Sequence, residues 1–276
     1  MGEALPEFLI AGMMRCGTTS LSAWLRHHPE VVIPAVKEVH FFDQNYERGL
    51  DWYSEHFRRA GPDQVRGEAT PDYVYVPEAV RRIAADLPDV KLVFLLRDPV
   101  ARAHSHYLHN TARTRETLGF EEAIEAEPER LARLSGPERA RFAYVDRGRY
   151  LHQLKAVLEL FPREQVMVQL FEDLRDRPRP TFAAIAGFLG VDSGQVPEEV
   201  GAQVNAYQTF RSVRVRDLSR RLPKRLVDAV GRVNRVPQPE YPTLPPPARA
   251  RLLDVYGAAR DELRELLGRD LHEWRT

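Results

Sequence analysis

Apolar residues along this chain fall into short unbroken runs that alternate with stretches of helical spacing. The first run, Phe8 to Ala11, stops at Gly12. After a tight segment to Gly17, Leu21, Trp24 and Leu25 recur at helical intervals behind Thr18, Thr19 and Ser20. The strongest run is Leu92 to Leu96, closed by Arg97, Asp98 and Pro99 and followed by the helical stretch VARAHSHYLHNTAR. Unbroken apolarity predicts a strand buried on both faces, as in a parallel sheet covered by helices. A third unit repeats the alternation: RGRYLHQLKAVLELF reads as an amphipathic helix, QVMVQLFEDL as a strand and its exit, and TFAAIAGFLGV as a helix capped by Gly190. The pattern predicts an α/β, P-loop-like three-layer fold with a central parallel sheet and right-handed crossovers, spanning residues 1–276 as a single domain.

The remaining stretches are less regular. HHPEVVIP reads as a turn and a short extended run ended by Pro34, and LDWYSEHFRR as a short aromatic helix. In KEVHFFD, alternation predicts a strand with Glu38, His40 and Phe42 on one face and Lys37, Val39 and Phe41 on the other. RGEATPDYVYV reads as a strand with a turn at Pro71, and residues 77–87 as a helix with Pro77 in its first turn. Residues 112–147 are highly charged, with helical patterns broken at Gly119, Pro128 and Pro137; a cover over an acceptor site and a set of solvated outer helices both fit. Residues 236–247, VPQPEYPTLPPP, predict a stiff connector to one C-terminal helix docked by Leu252, Leu253, Tyr256 and Leu263.

Composition narrows the function class. Hydrophobic content of 43% with 29% charged residues is ordinary for a globular protein, and the formal net charge of zero predicts neither a nucleic-acid nor a membrane partner. No apolar run approaches the ~18 residues that span a bilayer, and the N-terminus lacks a basic-then-apolar signal, so a cytoplasmic location is expected. Cys16, the single cysteine, excludes an intrachain disulfide and a cysteine-rich zinc site. It names no general base for a nucleophilic role, which leaves it as a small side chain in a turn. Residues 211–235 hold eight arginines and Lys224 against Asp217 and Asp228, either a solvated helix face or a ligand-facing patch. His104 and His106 diverge by about 200° on a helix, so with His109 they read as surface or core histidines rather than a ligand set. Trp52, Tyr73 and Tyr75 read as core more readily than as a pocket lining.

Chemistry concentrates at the turn from Gly12 to Ser20. The first N–H groups of a helix are unpaired within it and carry the positive end of its dipole, so a strand–glycine turn–helix is an anion cradle. Gly12 and Gly17 match the glycines of a Walker A loop, G-x-x-x-x-G-K-[ST], but Thr18 stands where its lysine would reach a terminal phosphate, and the basic residue is Arg15 inside the loop. The turn therefore suits a phosphate-type anion better than a nucleoside triphosphate. Arg97, at the carboxyl end of a central strand, lies on the edge where open α/β sheets bind ligands, with Ser105 two turns into the next helix.

Four stretches in order, MRCGTTSL, KEVHFFD, GEATPDY and RDPVARAHSHY, resemble the sulfotransferases that use 3′-phosphoadenosine 5′-phosphosulfate (PAPS), in the branch of the heparan sulfate enzymes and their bacterial homologues. The similarity continues through RGRYLHQL, FEDL and GRDLHEW. The resemblance implies that Arg15, Gly17, Thr18, Thr19 and Ser20, with Cys16 among them, hold the 5′-phosphosulfate, and that Arg97 and Ser105 bind the 3′-phosphate. It implies Glu38 as the general base, His40 and Asp43 as its supports and Lys37 before it, with PAP as product and no metal. Arg15 replaces the usual lysine. Ala69 stands where the glycosaminoglycan enzymes carry a lysine, and their C-terminal K-G-R segment is absent, with Arg211 and Arg214 as candidate substitutes. A small hydroxylated molecule or a neutral sugar is thus the expected acceptor rather than a long polyanion. Oligomeric state is open, a homo-oligomer included. Two other readings stay open: a P-loop kinase of a small molecule and a non-catalytic nucleotide-binding protein.

Overall fold

A computed structural model of the protein describes residues 4–202, 230, 242–272 and 274. Five parallel strands form the central sheet: β1 (Phe8–Gly12), β2 (Val31–Val32), β3 (Val65–Ala69), β4 (Lys91–Leu96) and β5 (Val166–Leu170). Their order across the sheet is β2-β3-β1-β4-β5. Helices flank the sheet in three layers, as the alternation predicts. Every residue of β1 is buried, and so is all of β4 beyond Lys91, which is the physical content of those apolar runs. The connections are helical: α1 (Thr18–Leu25), α2 (Gly49–Ser54), α3 (Pro77–Asp86), α4 (Pro99–Thr111), α8 (Tyr150–Leu158), α9 (Phe171–Asp176) and α10 (Pro178–Leu189). Gly190 ends α10 in the left-handed region at φ 87°. From β1 the chain moves toward β2 and β3, then crosses to β4 on the other side. The carboxyl ends of β1 and β4 therefore flank the reversal where such sheets bind ligands.

Residues 112–147 fold into short helices that bury part of their surface. They form α5 (Phe120–Glu125), α6 (Glu127–Arg133) and α7 (Gly136–Phe142). Gly119 precedes α5, and Pro128 and Pro137 sit in the first turns of α6 and α7, so these residues start helices rather than break them. Phe120, Ala123, Ile124 and Tyr144 share a second apolar cluster with Val100 and Ala103 of α4 and with Ala248, Leu252 and Tyr256.

Three expectations are corrected. KEVHFFD is not a strand: residues 38–40 have no regular structure, His40 turns at φ 52°, and Phe41–Asn45 form a single wide helical turn. Its backbone N–H groups go to side chains instead of a neighbouring strand. The tail is two helices, α11 (Pro246–Gly257) and α12 (Arg260–Leu267), because Gly257 is a poor residue to continue a helix. The proline-rich connector is described only from residue 242, and Pro246 and Pro247 already belong to the first turn of α11. In RGEATPDYVYV the strand to Ala69 and the turn at Pro71 are present, but the YVYV that follows is a 3-10 turn at Tyr73–Tyr75 rather than strand. Among the described residues, no helix is long and apolar enough to cross a membrane.

Candidate active site

The loop between β1 and α1 is held by close packing. Gly17 caps α1 at φ 94°, and a Cβ there would lie 2.9 Å from the Phe171 ring, so both backbone and space require glycine. Its carbonyl accepts from the N–H groups of Ser20 (2.9 Å) and Leu21 (3.1 Å), which starts the helix. Thr18 and Thr19 thus stand in the first turn, where N–H groups face outward for an anion. The Cys16 side chain is turned into the core. Its Sγ lies 3.8 Å from the Tyr150 hydroxyl, its N–H goes to the Met13 carbonyl, and burial, opposed by Arg102, pushes the thiol up to about 11. It is a packed thiol, not a nucleophile.

Arg15 reaches across to α4. Its Nε and Nη2 donate to Ser105 Oγ (3.2 and 3.1 Å), and Nη1 lies 3.1 Å from His109 Nδ1. The resemblance places Arg15 at the phosphosulfate and Ser105 at the 3′-phosphate; here the two side chains touch. Ser105 and His109 are one turn apart and share a helix face, a signal hidden by comparing His104 with His106. His104 and His106 are buried in α4. Arg113 Nη1 also meets His109 Nδ1, at 2.7 Å. Burial, then Arg15, Arg113, Arg115 and Lys37, lower the His109 pKa to about 3, so the imidazole is neutral and accepts.

Arg97 follows β4 directly. Its Nη1 lies 3.5 Å from the Arg15 carbonyl, its guanidinium sits 4.8 Å above the Phe171 ring, and its own carbonyl accepts from Tyr150 at 2.9 Å. Asp98 caps α4 by accepting from the Val100 (2.9 Å) and Ala101 (3.4 Å) N–H groups.

Beside this edge, Glu38 is gripped from both sides: Lys37 Nζ is 3.2 Å from Oε1 and His40 Nε2 is 3.5 Å from Oε2. His40 Nδ1 lies 2.9 Å from Asp43 Oδ2. Glu38 and His40, expected on one face, meet through a turn, and Lys37, expected on the opposite face, reaches Glu38 as well. Burial works to raise Glu38, yet His40 and Lys37 outweigh it and hold the carboxyl down to about 2. Burial works to lower His40, and Asp43 and Glu38 outweigh it and lift the imidazole to about 10. At neutral pH Glu38 is therefore a carboxylate and His40 an imidazolium. His40, Asp43 and Asp72 come within metal-ligating distance of one another. Both His40 nitrogens already face carboxylates and Asp72 pairs with Arg147 at 2.7 Å, so the three are an ion-pair network. Of the aromatics, Tyr73 is fully buried, Tyr75 donates to Asp146 (2.7 Å), and Trp52 packs edge-on to His56. Arg211 and Arg214 lie outside the described residues. Glu68, in GEATPDY, escaped the sequence reading; an acid inside a buried strand was the available signal.

The fold is a parallel α/β sheet with a glycine turn and helix start after β1, an arginine after β4 and an ion-paired carboxylate–imidazole group on the segment bonded to β3. The chain belongs to the sulfotransferase domain family, whose profile matches residues 5–226. It is 34% identical over 191 residues to human heparan sulfate glucosamine 3-O-sulfotransferase 6, covering 67% of this chain and 52% of that protein. The chain spans about half the length of the curated relatives it matches, 52% and 47% of the first two. A sulfotransferase structure from Alicyclobacillus acidocaldarius is 29% identical with a TM-score of 0.77, over 99% of this chain and 100% of that one. The mouse sulfotransferase SULT7A1 complexed with PAP shares the fold at 14% identity and a TM-score of 0.52, over 95% of this chain and 87% of its own.

Proposed function

We propose that this protein moves a sulfuryl group from PAPS to a hydroxyl of a small-molecule or carbohydrate acceptor. The observation that carries the reading is that Arg15, Arg97 and Ser105 join at the carboxyl edge of β1 and β4, while the Glu38–His40–Asp43 network sits on a segment bonded to Glu68 of β3, the strand paired with β1. A nucleotide phosphorylated at both 5′ and 3′ positions needs two anion sites. This edge offers the first turn of α1 with Thr18, Thr19 and Ser20 for one, and Arg97 with Ser105 for the other. When bound, PAPS supplies an already activated sulfuryl group.

The chain's own residues do the rest. Glu38 accepts the acceptor's proton, a role typically worth ~10²- to 10⁴-fold. His40, charged between two carboxylates, fixes the Glu38 carboxylate and keeps it ionised at every working pH, at the expense of basicity. Arg15 keeps its proton, since a guanidinium pKa lies above ~12, so it neutralises charge and donates no proton. The named activity of the human relative, sulfation of a glucosamine in heparan sulfate, supports a hydroxylated sugar within the acceptor class.

The test is incubation of the protein with a metabolite extract and ³⁵S-labelled PAPS, with calorimetry of PAP binding alongside. Label should enter a discrete acceptor fraction, and Glu38→Gln should lower that rate at least ~100-fold with PAP affinity held within about threefold. Wild-type turnover in Glu38→Gln removes the assigned base. No PAP binding and no labelled fraction remove the function.

A further inference from the structure

The geometry points to Glu68 as the residue that positions the segment carrying Glu38 and His40, an inference that rests on the function proposed above. Glu68 sits in β3 with 0% of its surface exposed, and among the described residues no ion pair reaches it. A buried carboxylate is tolerated only when its oxygens are hydrogen-bonded. Here they are: Oε1 accepts from the hydroxyls of Tyr53 (2.8 Å) and Tyr73 (2.6 Å), and Oε2 from Thr70 Oγ1 (2.7 Å) and the Val39 N–H (3.4 Å). Burial raises the Glu68 pKa, while the bonds from Tyr73, Thr70 and Tyr53 work against it.

Three of these partners lead into the catalytic segment. The Val39 N–H meets Glu68 directly. The His40 N–H lies 3.4 Å from Thr70 Oγ1, whose own hydroxyl donates to Glu68. The Phe41 N–H donates to the Tyr73 hydroxyl at 2.9 Å, which also donates to Glu68. Three consecutive backbone N–H groups, placed between Glu38 and Asp43 where no strand pairs, thus refer to one carboxylate, directly or through one hydroxyl. Tyr53 differs: its hydroxyl touches Glu68 and no backbone group of residues 39–41, while its ring stacks on Phe41 at 4.3 Å and 7°. The catalytic turn is registered on an interior strand of the sheet rather than on its own loop. An error of about 1 Å in the placement of a reacting group costs ~10²-fold in rate, so this anchoring bears on turnover.

Glu68→Gln, Tyr73→Phe and Tyr53→Phe separate positioning from plain stability. In Glu68→Gln one of the two accepting oxygens becomes a donating amide nitrogen, set either against the Val39 N–H and Thr70 hydroxyl or against the Tyr53 and Tyr73 hydroxyls, so the set of bonds that holds residues 39–41 cannot all be kept. We expect label transfer from ³⁵S-PAPS into the wild-type acceptor fraction, at saturating PAPS, to fall about 10- to 100-fold. PAP affinity should stay within about threefold, because the anion loop, Arg97 and Ser105 lie on other elements. Amide exchange at Val39, His40 and Phe41 should quicken at least about tenfold. Tyr73→Phe should act in the same direction, since Phe41 loses its acceptor. Tyr53→Phe removes an equivalent bond to the same carboxylate, keeps the stacked ring, and should leave transfer within about threefold. The inference is overturned by wild-type transfer in Glu68→Gln, by PAP affinity falling in parallel with rate, or by equal losses in Tyr53→Phe and Tyr73→Phe. If Glu68→Gln does not fold, the two tyrosine variants decide the matter. If the wild type transfers no label, the proposed function fails on its own, and amide exchange at residues 39–41 still decides whether Glu68 anchors them.

Discussion

Replacing His40 by glutamine should change how stability depends on pH, not only its level. In the native protein the imidazole lies between Asp43 and Glu38 and its pKa rises from 6.5 to about 10. Between those two pH values the folded state holds a proton that the unfolded chain has released. The stabilisation is therefore complete below about pH 6.5 and disappears as pH climbs toward 10, by at most ~1.4 kcal/mol per pH unit. The full span corresponds to about 5 kcal/mol, and screening at a side chain 21% exposed makes about 3 kcal/mol the working figure. Glu38, held down to about 2, is ionised throughout this window and adds no slope there. Urea unfolding of wild type and His40→Gln at intervals from pH 6 to 9.5 isolates the effect, because other titrating groups are common to both. The stability gap should be widest at pH 6 and narrow steadily upward. A gap that is the same at every pH would mean that His40 is neutral in the native protein and that the imidazolium bridge is wrong.

Arg97→Ala and Ser105→Ala should each weaken PAP about tenfold or more, since a hydrogen bond to a charged group contributes ~1.5–3 kcal/mol. Adenosine 5′-monophosphate, which lacks the 3′-phosphate, should hold within about threefold; equal losses for both ligands in calorimetry contradict the 3′-site. Gly17→Ala places a Cβ 2.9 Å from Phe171 at φ 94°, so unfolding should be easier by ~1–3 kcal/mol and PAP binding lost. An unchanged melting temperature in that variant would show that the loop does not have this conformation.

Much of the architecture was legible because it is written in local periodicity. Leu92 to Leu96 can be satisfied only between two neighbouring strands under helices, and it becomes β4. Gly190 ends α10 because a left-handed residue was needed where the helical pattern stopped. Gly12, Gly17 and the hydroxyls after them marked the turn from β1 into α1 by the same local logic. KEVHFFD shows where that logic fails. Its alternation satisfies the rule for a strand, yet its N–H groups find Glu68, Thr70 and Tyr73, about 30 residues on in the sequence. Hydrogen bonds over that separation leave no period to read. The C-terminal helix failed for a smaller reason: leucine spacing outvoted one glycine, Gly257, at the break.

The sequence alone determined which residue types are present for an anion, a proton and a parallel sheet, since spacing within one element settles which face a side chain occupies. Only the tertiary structure decided their partners. It brought Arg15 onto Ser105 and His109 across 90 and 94 residues, and turned Cys16 away from the loop into the core. It also set the charge of His40, because an imidazole takes its pKa from whatever carboxylates the fold places beside it. Burial and contact are properties of the packed chain, and periodicity reports them only where one element supplies both sides of the contact.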